Sequence, residues 1–119
     1  MTSVIFNIPL PPSVNALYAN KRRGGRTKTR AYKAWLDEAG QMILAQRARV
    51  TEKRVAGRYD LLIEVGPSRR DLGNMEKCVS DLLVKMNVVD DDKHCRNIHL
   101  KVAEFPGCRV TVTASMGCS

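Results

Sequence analysis

Aromatic residues are scarce in this chain: one Trp, three Tyr and two Phe make up 5% of 119 residues. That argues against an RNA-binding sheet that stacks bases on exposed rings. No apolar run approaches the length of a membrane span, so no transmembrane helix and no membrane partner are expected. Residues 1–6 lack a basic region followed by a long apolar stretch, which argues against a secretory signal. The four cysteines, at 78, 95, 108 and 118, form no CxxC pair. His94, Cys95, His99 and Cys108 likewise match no closed zinc spacing. Reduced, structural thiols in a cytoplasmic protein are expected, with Cys78 in the core.

Positive charge is what the chain has in excess. Its formal net charge is +8 and its pI about 9.7. For so small a protein this favours a polyanionic partner, nucleic acid above all. A length of 119 residues at 44% hydrophobic content fits one domain, 1–119, with a small core.

Along the chain, residues 3–8 read as a strand stopped by Pro9, Pro11 and Pro12. Residues 13–18 read as a loop or short turn. Residues 21–30 hold six basic residues and two glycines, and are expected to be a flexible loop that grips phosphate through Lys21, Arg22, Arg23, Arg26, Lys28 and Arg30. Apolar spacing predicts a helix over 31–49 with Trp35 inward, then a polar connection over 50–57 and a strand over 58–65. A second helix over 72–86 carries Leu72, Met75, Val79, Leu82, Leu83 and Met86 as its stripe. On another of its faces Lys77, Asp81 and Lys85 repeat at i, i+4. Residues 96–103 and 108–114 flank Phe105-Pro106-Gly107 and read as an antiparallel hairpin. The tail 115–119 is expected to fray. The fold class is α/β (α+β): one mixed sheet of about four strands with two main helices packed on it.

The chemistry concentrates in Arg69-Arg70-Asp71-Leu72-Gly73-Asn74-Met75-Glu76-Lys77 and in Asp90-Asp91-Asp92. Carboxylates that converge bind hard divalent cations through oxygen. Arginines and a lysine beside them hold phosphate. Together they point to metal-assisted cleavage of a phosphodiester. Asp71 also suits the N-cap of the second helix, and Lys77 suits pairing with Asp81. An acidic triplet in a basic DNA-binding chain repels phosphate unless a cation intervenes, which favours the metal reading. A 15-residue helix spans about 22 Å, so Asp92 meets Asp71 only if the chain runs back along the helix or a second subunit supplies the facing carboxylates.

Three segments in order resemble the RusA-type Holliday junction resolvases. They are Ile8-Pro9-Leu10-Pro11-Pro12-Ser13-Val14-Asn15-Ala16-Leu17-Tyr18, the Arg69–Lys77 stretch, and Val88-Val89-Asp90-Asp91-Asp92. The resemblance implies a RusA-like fold and a homodimer that binds four-way junction DNA and nicks two opposed strands with Mg2+ or Mn2+. It implies Asp71, Asp91 and Asp92 as metal ligands, with Lys77 catalytic beside them. Asn15, the basic residues of 21–30, Arg69 and Arg70 then contact DNA. Gly73 departs from the family, which has an aspartate there. Three accounts fit that departure: Asp90 or Glu76 substitutes, the chain binds junctions without cutting, or a single-base change removed the aspartate. A non-catalytic, structure-selective junction-binding protein is therefore the competing expectation.

Overall fold

A computed structural model describes residues 3–12, 18–20, 26–50, 54–67 and 72–115; of 18–20, 26–27 and 72–74 it describes the backbone alone. Its main sheet has four strands in the order β1-β6-β4-β5: β1 (Ser3–Ile8), β4 (Tyr59–Val65), β5 (Cys95–Val102) and β6 (Cys108–Ala114). A separate antiparallel hairpin pairs β2 (Tyr18–Asn20) with β3 (Arg26–Lys28). Two helices complete the fold, α1 (Arg30–Arg47) and α2 (Leu72–Lys85). The expected α+β class, one mixed four-stranded sheet with two helices, is the observed one.

Alternation sets which face is covered. In β1, Val4, Phe6 and Ile8 are buried while Ser3, Ile5 and Asn7 are exposed. β4 buries Tyr59, Leu61, Ile63 and Val65, and β6 buries Cys108, Val110 and Val112. These side chains form one core with Tyr32, Trp35, Leu36, Ala39 and Ile43 of α1 and Met75, Cys78, Val79, Leu82 and Leu83 of α2. Both helices thus lie on the same face of the sheet. They run in the same direction: Tyr32 meets Asp81, Asp37 meets Lys85, and Gly40 lies against Met86. Trp35 faces inward as expected, its indole N–H donating to the Pro9 carbonyl at 3.0 Å.

The expected hairpin of 96–103 with 108–114 does not form. β5 pairs in parallel with β4, and β6 pairs antiparallel with both β4 and β1. The connection 103–107 therefore steps across the end of β4 instead of turning between neighbours. Two backbone bonds hold the step, Ala103 N–H to Val65 O at 2.7 Å and Gly66 N–H to Gly107 O at 2.8 Å. The physical reason lies in the two strands. β6 carries three buried apolar residues in alternation and suits an interior strand. β5 carries exposed Arg96, His99 and Lys101, the kind of charge that protects an edge. At the opposite edge, Gln46 of α1 caps β1 by accepting from Asn7 N–H at 2.8 Å and donating to Asn7 O at 2.7 Å.

The basic loop is also shorter than expected. Its residues 26–28 are a strand, and Arg30 opens α1, where Thr29 caps the helix by accepting from Tyr32 N–H at 3.2 Å. The tail begins later than expected too, since Ser115 N–H donates to Arg58 O at 2.9 Å. Among the described residues no helix is long and apolar enough to cross a membrane.

Candidate metal and nucleic-acid site

The end of α2 decides where the acidic triplet goes. Asn87 has φ 59, the left-handed conformation that ends many helices. Val88 N–H then reaches back to Leu83 O at 2.9 Å and Asn87 N–H to Val84 O at 3.0 Å. Val88 and Val89 are buried behind this turn. Val89 bridges Val55, and Val55 N–H donates to Val88 O at 2.8 Å. The chain is thereby swung from the helix axis to the start of β5, and Asp90, Asp91 and Asp92 lie on that path.

The three aspartates have separate duties. Asp90 forms an ion pair with Arg54 and accepts from Gly57 N–H at 3.1 Å. These contacts, the Gly57 amide first, hold its carboxyl below the ordinary range. Asp90 thus clasps the 54–57 segment. Asp91 caps a single 3-10 turn, 92–94, by accepting from Lys93 N–H at 3.0 Å. Its carboxyl is likewise held low, by that amide and then by a hydrogen shared with Asp92. Asp92 is exposed, and it is pushed up: first by the shared hydrogen, then by burial of part of the group, then by the negative charges of Asp91, Asp81 and Glu76.

That last pair answers how Asp92 approaches the helix. The 3-10 turn packs on α2, so Asp92 reaches that helix within one chain; Asp71, which it was expected to meet, lies outside the described residues. Glu76 and Asp81 are both half-buried on α2. Glu76 accepts from the Ser80 hydroxyl at 2.7 Å, one turn on. Asp81 accepts from the Tyr32 hydroxyl at 2.6 Å. The expected run of Lys77, Asp81 and Lys85 gives way at its far end, where Lys85 pairs with Asp37 of α1 at 3.3 Å. Lys77 is exposed on α2.

Tyr59, on β4, is wholly buried, and its hydroxyl meets the Cys95 side chain. Its strand partner is Cys95, the residue that follows the 3-10 turn. Burial raises the phenol well above its ordinary value, and the charges of Cys95, Asp92 and Glu76 add to the rise. On the other side, Lys28 at the foot of the β2–β3 hairpin sits 5.7 Å from the centre of the Tyr32 ring. The base of the cationic loop is therefore linked, through Tyr32 and Asp81, to the acidic group.

Of the sequence-derived site residues, Asp91 and Asp92 are adjacent, and Asp92 lies in the 3-10 turn that packs on α2. Arg30 is exposed at the start of α1, and Arg26 is placed as backbone in β3. Gly73 lies in the first turn of α2. Asp71, Asn15, Lys21, Arg22, Arg23, Arg69 and Arg70 lie outside the described residues. Sequence reasoning gave Asp81 no part in the site and missed Tyr32 and Tyr59. Glu76 carried a signal, since it stands three residues after Gly73 on the same helical face.

The donor set around Asp92 is carboxylate oxygen, which suits a hard cation such as Mg2+ or Mn2+. Among the described residues, no three of His, Cys, Asp and Glu are grouped closely enough to hold a metal by themselves. No protein-family model matches the chain, and no curated protein matches it.

Proposed function

We propose that this protein is a metal-dependent endonuclease acting on branched DNA, a resolvase of RusA type that nicks four-way junctions as a homodimer. The observation that carries the reading is the placement of Lys28, at the foot of the basic hairpin, one tyrosine away from the acidic group of Asp81, Asp92 and Glu76. A cationic arm draws a polyanion in, and carboxylates waiting beside it repel phosphate until a cation neutralises them.

In this reading the basic residues 21–30, with Arg69 and Arg70, take flanking phosphates and set the register of the DNA without reading sequence. Lys77, exposed on α2, stabilises charge building on the phosphate oxygens. Asp91 and Asp92, with Asp71, hold the metal. A bound Mg2+ or Mn2+ lowers the pKa of a coordinated water and offsets charge on the scissile phosphate. Tyr32 fixes Asp81 behind the site. An isologous dimer would place two such sites in two-fold relation, matching the approximate symmetry of a four-way junction.

Gly73 favours a second reading, a protein that binds junctions and does not cut them, because glycine offers no oxygen where the family has a carboxylate. The deciding experiment is cleavage of a synthetic mobile four-way junction in Mg2+ and Mn2+, run beside the Gly73→Asp form. Paired symmetric nicks by both forms support the resolvase reading for the chain as it stands. Nicks by the aspartate form alone make it a junction-binding protein with its chemistry disabled. Junction binding with no nicks by either form rejects the site.

A further inference from the structure

Three cations outside the basic hairpin, Arg54, Lys93 and Arg96, are gathered on the segments that hold or carry the acidic triplet, and all three are exposed. Arg54 is brought there by its neighbour: Val55 is buried, bridges Val89 and donates its N–H to Val88 O at 2.8 Å. The Arg54 guanidinium reaches one oxygen of Asp90 through Nη2, which uses few of its five N–H donors. An exposed pair of this kind contributes only about 0–1 kcal/mol, and Gly57 N–H already holds the other oxygen of Asp90 at 3.1 Å. Fastening the loop is therefore a weak reason for an arginine at 54. Lys93 lies in the 3-10 turn, which Asp91 caps through the Lys93 N–H and which packs on α2. Arg96 is the extra residue of a bulge, since Tyr59 pairs with Cys95 and Asp60 with Asn97. Bulges re-aim a side chain out of the regular alternation. Among the described residues, neither Lys93 nor Arg96 forms an ion pair with Asp91 or Asp92.

The sheet order decides where this group stands relative to the hairpin. α1 packs on β1 at one edge, and α2 packs on β5 at the other. The hairpin meets α2 from the α1 side, through Lys28, Tyr32 and Asp81. The 3-10 turn and the start of β5 lie on the far side. We infer that Arg54, Lys93 and Arg96 form a second grip on the DNA backbone, so that phosphates are held on both flanks of α2. The inference deepens the nuclease reading and rests on its DNA-binding part. Carboxylates alone would repel a backbone lying along the β5 side, and unpaired cations beside them offset that repulsion. Contacts of this kind set the register of the duplex and carry no sequence information.

The test is equilibrium binding of the full-length protein to a synthetic four-way junction over a salt series, with no divalent cation present so that cutting does not intervene. Each lost phosphate contact lowers the slope of log K against log salt by about 0.9. The double variant Lys93→Gln, Arg96→Gln is expected to lower it by about 1.8, and the triple variant with Arg54→Gln by about 2.7. Lys101→Gln removes the same charge from the same exposed strand and is expected to keep the wild-type slope. A double variant that matches the wild type in slope and affinity overturns the inference. So does a Lys101→Gln slope that falls as far as that of Arg96→Gln alone, because the effect is then one of net charge and not of place. If the triple variant proves unfolded by circular dichroism, the double variant decides. Failure of the nuclease reading looks different: a slope that falls in the double variant, with no nicking by either the wild type or Gly73→Asp once Mg2+ is added. A wild type with no affinity for the junction overturns both.

Discussion

A single methyl group at Gly66 should unseat the crossing that separates β5 from β6. A Cβ built there stands 2.4 Å from Phe105 O, 3.1 Å from Pro106 Cα and 3.2 Å from Gly107 N. All three are backbone atoms, so no flexible side chain can yield. The 103–107 connection must lift, and the bonds Gly66 N–H to Gly107 O at 2.8 Å and Ala103 N–H to Val65 O at 2.7 Å are strained with it. Overpacking of this kind costs about 1–3 kcal/mol, and each weakened backbone bond adds about 1 kcal/mol or less. For a domain of this size, Gly66→Ala is therefore expected to lower Tm by roughly 10 °C. Thermal melts followed by circular dichroism, with urea denaturation alongside, measure it. A variant that melts within 2 °C or so of the wild type would refute the crossing. An ordinary hairpin between β5 and β6 would leave Gly66 uncrowded, so the variant also tests the strand order.

Junction affinity should fall steeply with salt, log K dropping by about 0.9 per phosphate contacted for each decade of salt; a flat response in a filter-binding series would remove the electrostatic account. Tyr32→Phe deletes the 2.6 Å bond to Asp81 and should cost about 1.5–3 kcal/mol in urea denaturation, as expected for a bond to a charged group; a loss below about 0.5 kcal/mol would contradict it. Burial pushes the Cys78 thiol from 9.0 to about 11 and the Cys108 thiol from 9.0 to about 12. Both should therefore resist Ellman's reagent in the folded protein at pH 8. Their raised values also mean the folded state prefers the neutral thiol. Stability they contribute is complete below pH 9 and is lost as the pH climbs towards 11–12. Urea midpoints that hold steady from pH 8 to pH 10.5 would count against that linkage.

The helices and the four main strands were legible from their apolar spacing. Trp35, Met75, Val79, Leu82 and Leu83 are core residues where the 3.6-residue period places them. The strand order was not legible. Phe105-Pro106-Gly107 between two alternating stretches has the form of a hairpin turn, and local pattern cannot distinguish a turn between neighbours from a step over a third strand. The contrast between β6, apolar on one face, and β5, with Arg96, His99 and Lys101 exposed, held the clue. The β2–β3 hairpin was hidden for a different reason. Its pairing is carried by backbone bonds, and its basic composition carries no apolar periodicity from which to read it.

The acidic triplet was visible as charge but not as three different jobs. Nothing in Asp90-Asp91-Asp92 tells which carboxyl closes a loop, which caps a turn and which is turned towards a helix. Those roles follow from events outside the triplet: the left-handed Asn87, the burial of Val88 and Val89, and the position of Arg54. Once the chain is swung back by that turn, only Asp92 looks onto α2, and what it meets is set by helix geometry. Positions 73 and 76 share a face of α2, about 4.5 Å apart along the axis at 1.5 Å per residue, so Glu76 presents a carboxylate on the face where Gly73 has no side chain.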